Sequence, residues 1–286
     1  MGGDIFLILK HMKKILFPIA CILAAMFCVS CGLVPEGISE NDSDSLALDS
    51  IALGDMEFRT EQRTFTDSLE QNGVNASYTV TLDVPVAGNP VLVDSIKQWL
   101  SYRLGNTYEG EQTFDNEMLK HYATEYFQTC DEDGLFEGLG AYLEFSATLL
   151  TDTAGFITYE VEGYDYTGGA HGMPFNYGVT FSKEDGSQIG WDIFADTTSL
   201  TPLFKAGVAD YFEEVDISDL SDFLFDGVEE DFPLPGTSPR MTSEGVGFIY
   251  GAYEIAPFAA GMPSGVIPYK KVEKKLSDKA KKLLKK

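Results

Sequence analysis

Tyr142-Leu143-Glu144-Phe145-Ser146-Ala147-Thr148-Leu149-Leu150, the tetrapeptide Asp152-Thr153-Ala154-Gly155, and then Phe156-Ile157-Thr158-Tyr159-Glu160-Val161-Glu162-Gly163-Tyr164-Asp165 decide the fold. Leu143, Phe145, Ala147 and Leu149 fall on one face of the first run, and Ile157, Tyr159, Val161 and Gly163 on one face of the second. Alternation of this kind marks strands with one buried face, and Gly155 supports a tight hairpin between them. Downstream, a glycine-rich loop leads to a third strand over 175–182, and Asp185-Gly186 marks a turn. Helical spacing returns over 199–212 and 216–225, and a late strand is expected over 247–255. Upstream, residues 55–138 read strand, strand, helix, helix. Tyr78, Val80, Leu82 and Val84 line one face of 76–86. Asn89-Pro90 resembles a cap with proline at the first helical position, Val93, Ile96, Leu100 and Leu104 make a stripe, and Gly105 is a natural stop. A second helix is expected over 115–130. Strands in runs with helices grouped between them predict an α+β protein with an antiparallel sheet. The expected organisation is two small α+β domains packed together, 55–138 and 139–269.

The chain start carries a different signal. Met12-Lys13-Lys14 opens a basic stretch, and 15–27 is apolar apart from Pro18 and Cys21. That core is too short to span a bilayer as a helix but suits a signal peptide over 1–30, with Met12 the better start. Phe27-Cys28-Val29-Ser30-Cys31-Gly32 resembles the lipobox of bacterial lipoproteins, with Cys28 in place of the usual leucine. The resemblance implies acylation at Cys31 and an envelope location, periplasmic or surface-exposed. Residues 31–54 are small, polar and acidic, a composition that suits a flexible tether.

With Cys21 and Cys28 removed and Cys31 acylated, Cys130 stands without a disulfide partner. It shares a helical face with Met118, Leu119, Tyr122, Ala123, Tyr126 and Phe127, so an inert core thiol is expected; Asp131 and Asp133 disfavour a thiolate. Residues 31–269 hold 8 Lys+Arg against 42 Asp+Glu, a net −34, and the tail 270–286 holds nine lysines against two acids. Such a body repels nucleic acid and anionic lipid and favours cationic partners. The tail reads as a basic amphipathic helix with Val272, Leu276, Ala280, Leu283 and Leu284 on one stripe. It could touch an anionic membrane or wall polymer or dock on its own acidic body; a frayed, solvated helix is the plain expectation.

Three motifs in order are more specific: Tyr164-Asp165-Tyr166-Thr167-Gly168-Gly169-Ala170-His171-Gly172; then Asp185-Gly186 with Trp191-Asp192-Ile193-Phe194; then 248–261 ending in Ile267-Pro268-Tyr269. Over about 105 residues this resembles the RsiV-like extracytoplasmic C-terminal domain of unknown function. The part before it is more weakly similar to the companion domain found ahead of it in such proteins and in some polysaccharide deacetylases. The resemblance implies an α+β fold likened to a small ATPase lobe, but no phosphate-binding loop is present, so ATPase activity is not inherited. It also implies an ectodomain that senses a ligand such as lysozyme. With only 11 residues before the signal peptide, no sigma-factor partner is expected.

The glycine loop is the best candidate site. Gly168, Gly169 and Gly172 let a backbone approach a ligand, Tyr166 flanks them, and His171 could serve as base or metal ligand. The plainer reading is a tight loop with His171 bonded to backbone or to Asp165 or Asp192. Tyr253 and Glu254 read as the end of a strand before a proline turn, with Glu254 the charge worth testing. With His11 in the expected signal peptide, only His121 offers a second imidazole in the mature chain, too few for a catalytic zinc site, and no hydrolase or nucleotide motif occurs, so no metal or cofactor is expected. The expectation is a non-catalytic recognition or sensor ectodomain for a lysozyme-like protein or a peptidoglycan or glycan. The alternative is a hydrolase of a wall polymer using His171 with Asp165 or Asp192.

Overall fold

The computed structural model describes residues 57–212 and 217–285. The expected signal peptide, Cys31 and the expected tether lie outside the described residues. The rest is mixed α+β, with a six-stranded sheet in the order β1 to β6 and a three-stranded sheet, β7-β8-β9.

β1 (Arg59–Gln71) and β2 (Val74–Ala87) form a long antiparallel hairpin. It closes on Asn72-Gly73, both at positive φ (57° and 78°), the pair a two-residue hairpin turn favours. Asn89 then caps α1 (Pro90–Leu104), its side chain accepting the Val91 N–H, and Gly105 stops it at φ 121°. α1 buries Leu92, Ile96, Trp99 and Leu100, a stripe rotated from the expected one, so that Val93 and Leu104 are only half-buried. α2 (Asn116–Glu132) starts at Asp115, whose carboxylate accepts the N–H groups of Glu117 and Met118. Its buried face is the one read from the sequence, with Tyr126 at the rim.

β3 (Ala141–Asp152) then pairs with β2 in parallel, a departure from the antiparallel expectation. A parallel pair needs a crossover of a dozen or more residues, and α1 with α2 supplies it. β4 (Phe156–Tyr166), β5 (Met173–Ser182) and the short β6 (Gln188–Ile189) complete the sheet as an antiparallel run. One hydrophobic core, from Phe58 to Phe181, lies between this sheet and the two helices. The expected join at 138/139 therefore falls inside one sheet and one core. The chain passes to a second core further on, near Ile189.

That second core is built from α3 (Thr201–Tyr211), β7 (Arg240–Met241), β8 (Gly245–Ile249), β9 (Ser264–Pro268), α4 (Tyr269–Val272) and α5 (Asp278–Leu284). It covers part of the face of the large sheet opposite α1 and α2, so both faces of early β4 are buried. Ile157 and Tyr159 enter the first core and Phe156 the second. Thr158 and Thr180, both fully buried, join the layers: their hydroxyls meet at 2.9 Å, Thr158 donates to Met241 O (2.6 Å), and Met241 N–H donates to Thr180 Oγ1 (2.9 Å).

Three sequence expectations need correction here. The helical spacing around 216–225 forms a 3-10 helix, Ile217–Asp222. The late strand stops at Ile249 because the Glu254 carboxylate captures the Gly251 N–H and turns the chain. The tail is neither frayed nor one helix. Leu276 bridges to Phe194, Ser277 caps a new helix, and Val272, Leu276, Ala280 and Leu283 are buried. Lys279 pairs with Asp192 (2.9 Å) and Lys282 with Glu184 (2.8 Å), so the basic tail docks on the acidic body. No helix of the described residues is long and apolar enough to cross a membrane.

Candidate functional site

The β4–β5 register, which pairs Asp165 with Met173, leaves residues 166–172 to close the hairpin. Gly168 and Gly169 sit at φ +89° and +96°, where a side chain is strained, and Leu139 packs so closely on Gly168 that no Cβ fits there. Tyr166 Oη donates to Gly169 O (3.2 Å), and the Gly172 N–H donates to Tyr164 Oη (2.8 Å). Alternation places Tyr164 and Tyr166 on the face of β4 away from α2. There both stack on Tyr142 of β3, with centroids 5.6 and 5.2 Å apart and planes within 13° and 24°. Tyr142 is exposed, and its phenol is raised above the ordinary value by loss of solvent, with Tyr164 and Glu144 adding to it.

A second segment folds over this loop from the other layer. Glu254 accepts the Gly236 and Gly251 N–H groups, each at 2.6 Å, and its own N–H donates to Gly251 O. Charge-assisted bonds of this kind are the strong ones, and they fasten a turn that holds Tyr253 at φ +65°. A left-handed backbone costs an L-residue roughly 1–2 kcal/mol. The strained Tyr253 is exposed, and its hydroxyl lies 3.2 Å from His171 Nε2. Phe258 stacks on the same imidazole at 3.9 Å, planes within 18°.

The tautomer follows from the partners. His171 Nδ1 lies 2.9 Å from Gly172 O, which can only accept, so Nδ1 carries the proton. In the neutral ring Nε2 is then the acceptor for the Tyr253 hydroxyl. Both nitrogens are engaged, one by a carbonyl and one by a phenol.

The expected carboxylates lie elsewhere. Asp165 faces the opposite side of the sheet, near Tyr126 and Cys130, whose ionisations its charge opposes. Asp192 accepts the Gly190 N–H (2.8 Å) and pairs with Lys279; burial alone would raise its pKa, but these two partners hold it below the usual value. Glu254 is a structural clamp. His121, on α2, bonds Thr107 and sits near Glu125. Among the described residues no three His, Cys, Asp or Glu side chains gather as metal ligands. The structure thus joins Tyr166, Gly168, Gly169, His171, Gly172 and Tyr253 in one cluster, exposed at Gly169, His171 and Tyr253, and leaves Asp165 and Asp192 outside it. Sequence reasoning missed Tyr142, Tyr164 and Phe258. The first two were legible as same-face neighbours of Tyr166; Phe258 reaches His171 only through the tertiary fold.

These features define an α+β protein with a helix-backed six-stranded sheet, a smaller sheet layered on it, and an aromatic cluster at a glycine hairpin. No family model matches the chain, and no curated protein matches it. Several solved chains share the fold, among them these two. One is a member of the DUF3298 family from Bacteroides fragilis NCTC 9343, 19% identical, TM-score 0.62, covering 82% of this chain and 99% of that one. The other is a DUF3298 family protein from Pseudomonas aeruginosa PAO1, 16% identical, TM-score 0.53, covering 80% and 98%.

Proposed function

We propose that this chain is an envelope lipoprotein, acylated at Cys31, whose folded body recognises a ligand without converting it. The carrying observation is His171: its imidazole is pinned by Gly172 O, Tyr253 Oη and the Phe258 ring, with no carboxylate among its hydrogen-bond partners in the described residues. The Nε2 lone pair is already taken up by the Tyr253 hydroxyl and no carboxylate among the described residues backs Nδ1, which weighs against a role as general base. The exposed rings of Tyr142 and Tyr253, with Tyr164 and Tyr166 behind, offer flat apolar faces edged by hydroxyls. Such a surface suits a peptidoglycan or other glycan strand, apolar on one face and polar at its edge. The excess of carboxylates supports a second reading, a cationic lysozyme-like protein as ligand. The RsiV-like motif resemblance agrees with a sensing ectodomain under either reading.

The test is retention of the purified full chain on insoluble peptidoglycan and on immobilised lysozyme, with Tyr166→Ala and His171→Ala beside it. Removal of an aromatic anchor is expected to weaken binding by about 2 kcal/mol, roughly thirtyfold. Retention on neither material would remove both ligands from consideration.

A further inference from the structure

At the base of the tail, away from the glycine loop, a shallow hollow of about 460 Å³ is lined by Lys270, Lys271, Lys274 and Lys275 with Asp196 and Glu273. We propose that this hollow is a contact site for the phosphate headgroups of an anionic bilayer.

The first support is that the backbone carrying the lysines is fixed in place. The Ala195 N–H donates to Lys275 O (2.9 Å), the Ser277 N–H to Ile193 O (2.8 Å), and Val272 and Leu276 are buried beneath. Only the lysine side chains, and not the segment that carries them, need ordering when a ligand arrives. The second is that these cations are left over in a chain with 45 carboxylates against 20 cations. Lys279 and Lys282 hold the tail to Asp192 and Glu184, and Lys275 bonds Ser199 O at 3.2 Å. Lys270, Lys271 and Lys274 are exposed and make no ion pair or hydrogen bond among the described residues. Like charges gathered on an ordered surface repel one another, which an anionic partner relieves.

The third support is local sign. Asp196 is engaged by Thr198, whose hydroxyl and N–H bond it at 2.6 and 3.1 Å. The hollow is left with four cations against two carboxylates. Screening over about 8 Å at physiological salt separates it from much of the acidic body. A bilayer is preferred to a single soluble phosphate because the lysines are spread along an exposed rim, which meets several headgroups at once.

The test is co-sedimentation of the full chain, carrying Cys31→Ser so that no acyl group contributes, with phosphatidylglycerol-containing vesicles and with pure phosphatidylcholine vesicles. Apolar contact by the N-terminal stretch is common to both. The expected result is a preference for the anionic vesicles that falls with salt and drops roughly a hundredfold in K270Q/K271Q/K274Q. The same variant should keep its melting temperature, and K97Q/K120Q should keep the preference. Equal binding to both vesicles, or a preference unchanged by the triple substitution, overturns the proposal. Displacement by millimolar glycerophosphate assigns the site to a small phosphate ligand and overturns it too. None of these outcomes bears on the aromatic cluster.

Discussion

Arg240 shows how single residues hold the two layers together. Its stem crosses Gly178 and Gly247, and its Nη2 donates to Glu160 at 2.8 Å with both side chains largely buried. A Cβ at Gly178 would run into Arg240 Cδ. Gly178→Ala is therefore expected to displace the guanidinium and lower stability in urea by about 1–3 kcal/mol; an unchanged midpoint would mean that Arg240 is not fixed there. Cys130 is the opposite case, a group kept silent. Burial pushes its thiol up to about 11, with Asp165 and Asp133 adding to the effect. At pH 8 it should resist a thiol reagent in the native protein and react once unfolded; rapid native labelling would refute that. Tyr253 carries the strain at the site. Tyr253→Gly relieves its left-handed backbone, so thermal stability should hold or rise slightly while ligand retention falls. A variant that retains ligand in full would remove Tyr253 from the contact surface.

Among the elements, the tail is the most informative. Gly155 lies so close to the Leu283 carbonyl that a Cβ there would collide with it. Gly155→Ala should loosen α5 and speed amide exchange in 278–284, with little change in α1. The Lys279–Asp192 pair adds a pH dependence. Asp192 is held below its ordinary 3.8, so its contribution is fully present above that value and lost as pH falls through the lower folded-state value. Acid should release the tail before the first core melts, and Asp192→Asn should abolish that early phase. Much at this scale was legible. Period-two alternation gave the inward faces of β2, β3 and β4, and Asn89, Gly105 and Asp115 marked the helix ends. Asn72-Gly73 was an available signal for the β1–β2 turn that went unread. The parallel β2–β3 pairing and the break of the tail at Leu276 were not legible, because each is decided by a partner distant in sequence. The extra burial of Phe156 and Thr158 has the same cause, the arrival of the second layer.

For the whole molecule, two cores share one large sheet, and the candidate site forms where the smaller layer meets the rim of the larger. Its glycines, His171 and Tyr166 could be read from a local motif. The engagement of His171 by Tyr253 and Phe258 could not, since it joins residues some 80 positions apart, nor could the Glu254 clamp, which closes on Gly236 from 18 positions away. The juxtaposition at His171 also places Asp165 and Asp192 away from the ring, which supports the recognition reading proposed above. The most direct test is calorimetric titration of the full chain with soluble peptidoglycan fragments, followed by mass analysis of the recovered fragments. The account predicts saturable binding that Tyr142→Ala and Tyr166→Ala weaken together, with every fragment returned at its original mass. Fragments shortened by the protein, or binding indifferent to both tyrosines, would contradict it.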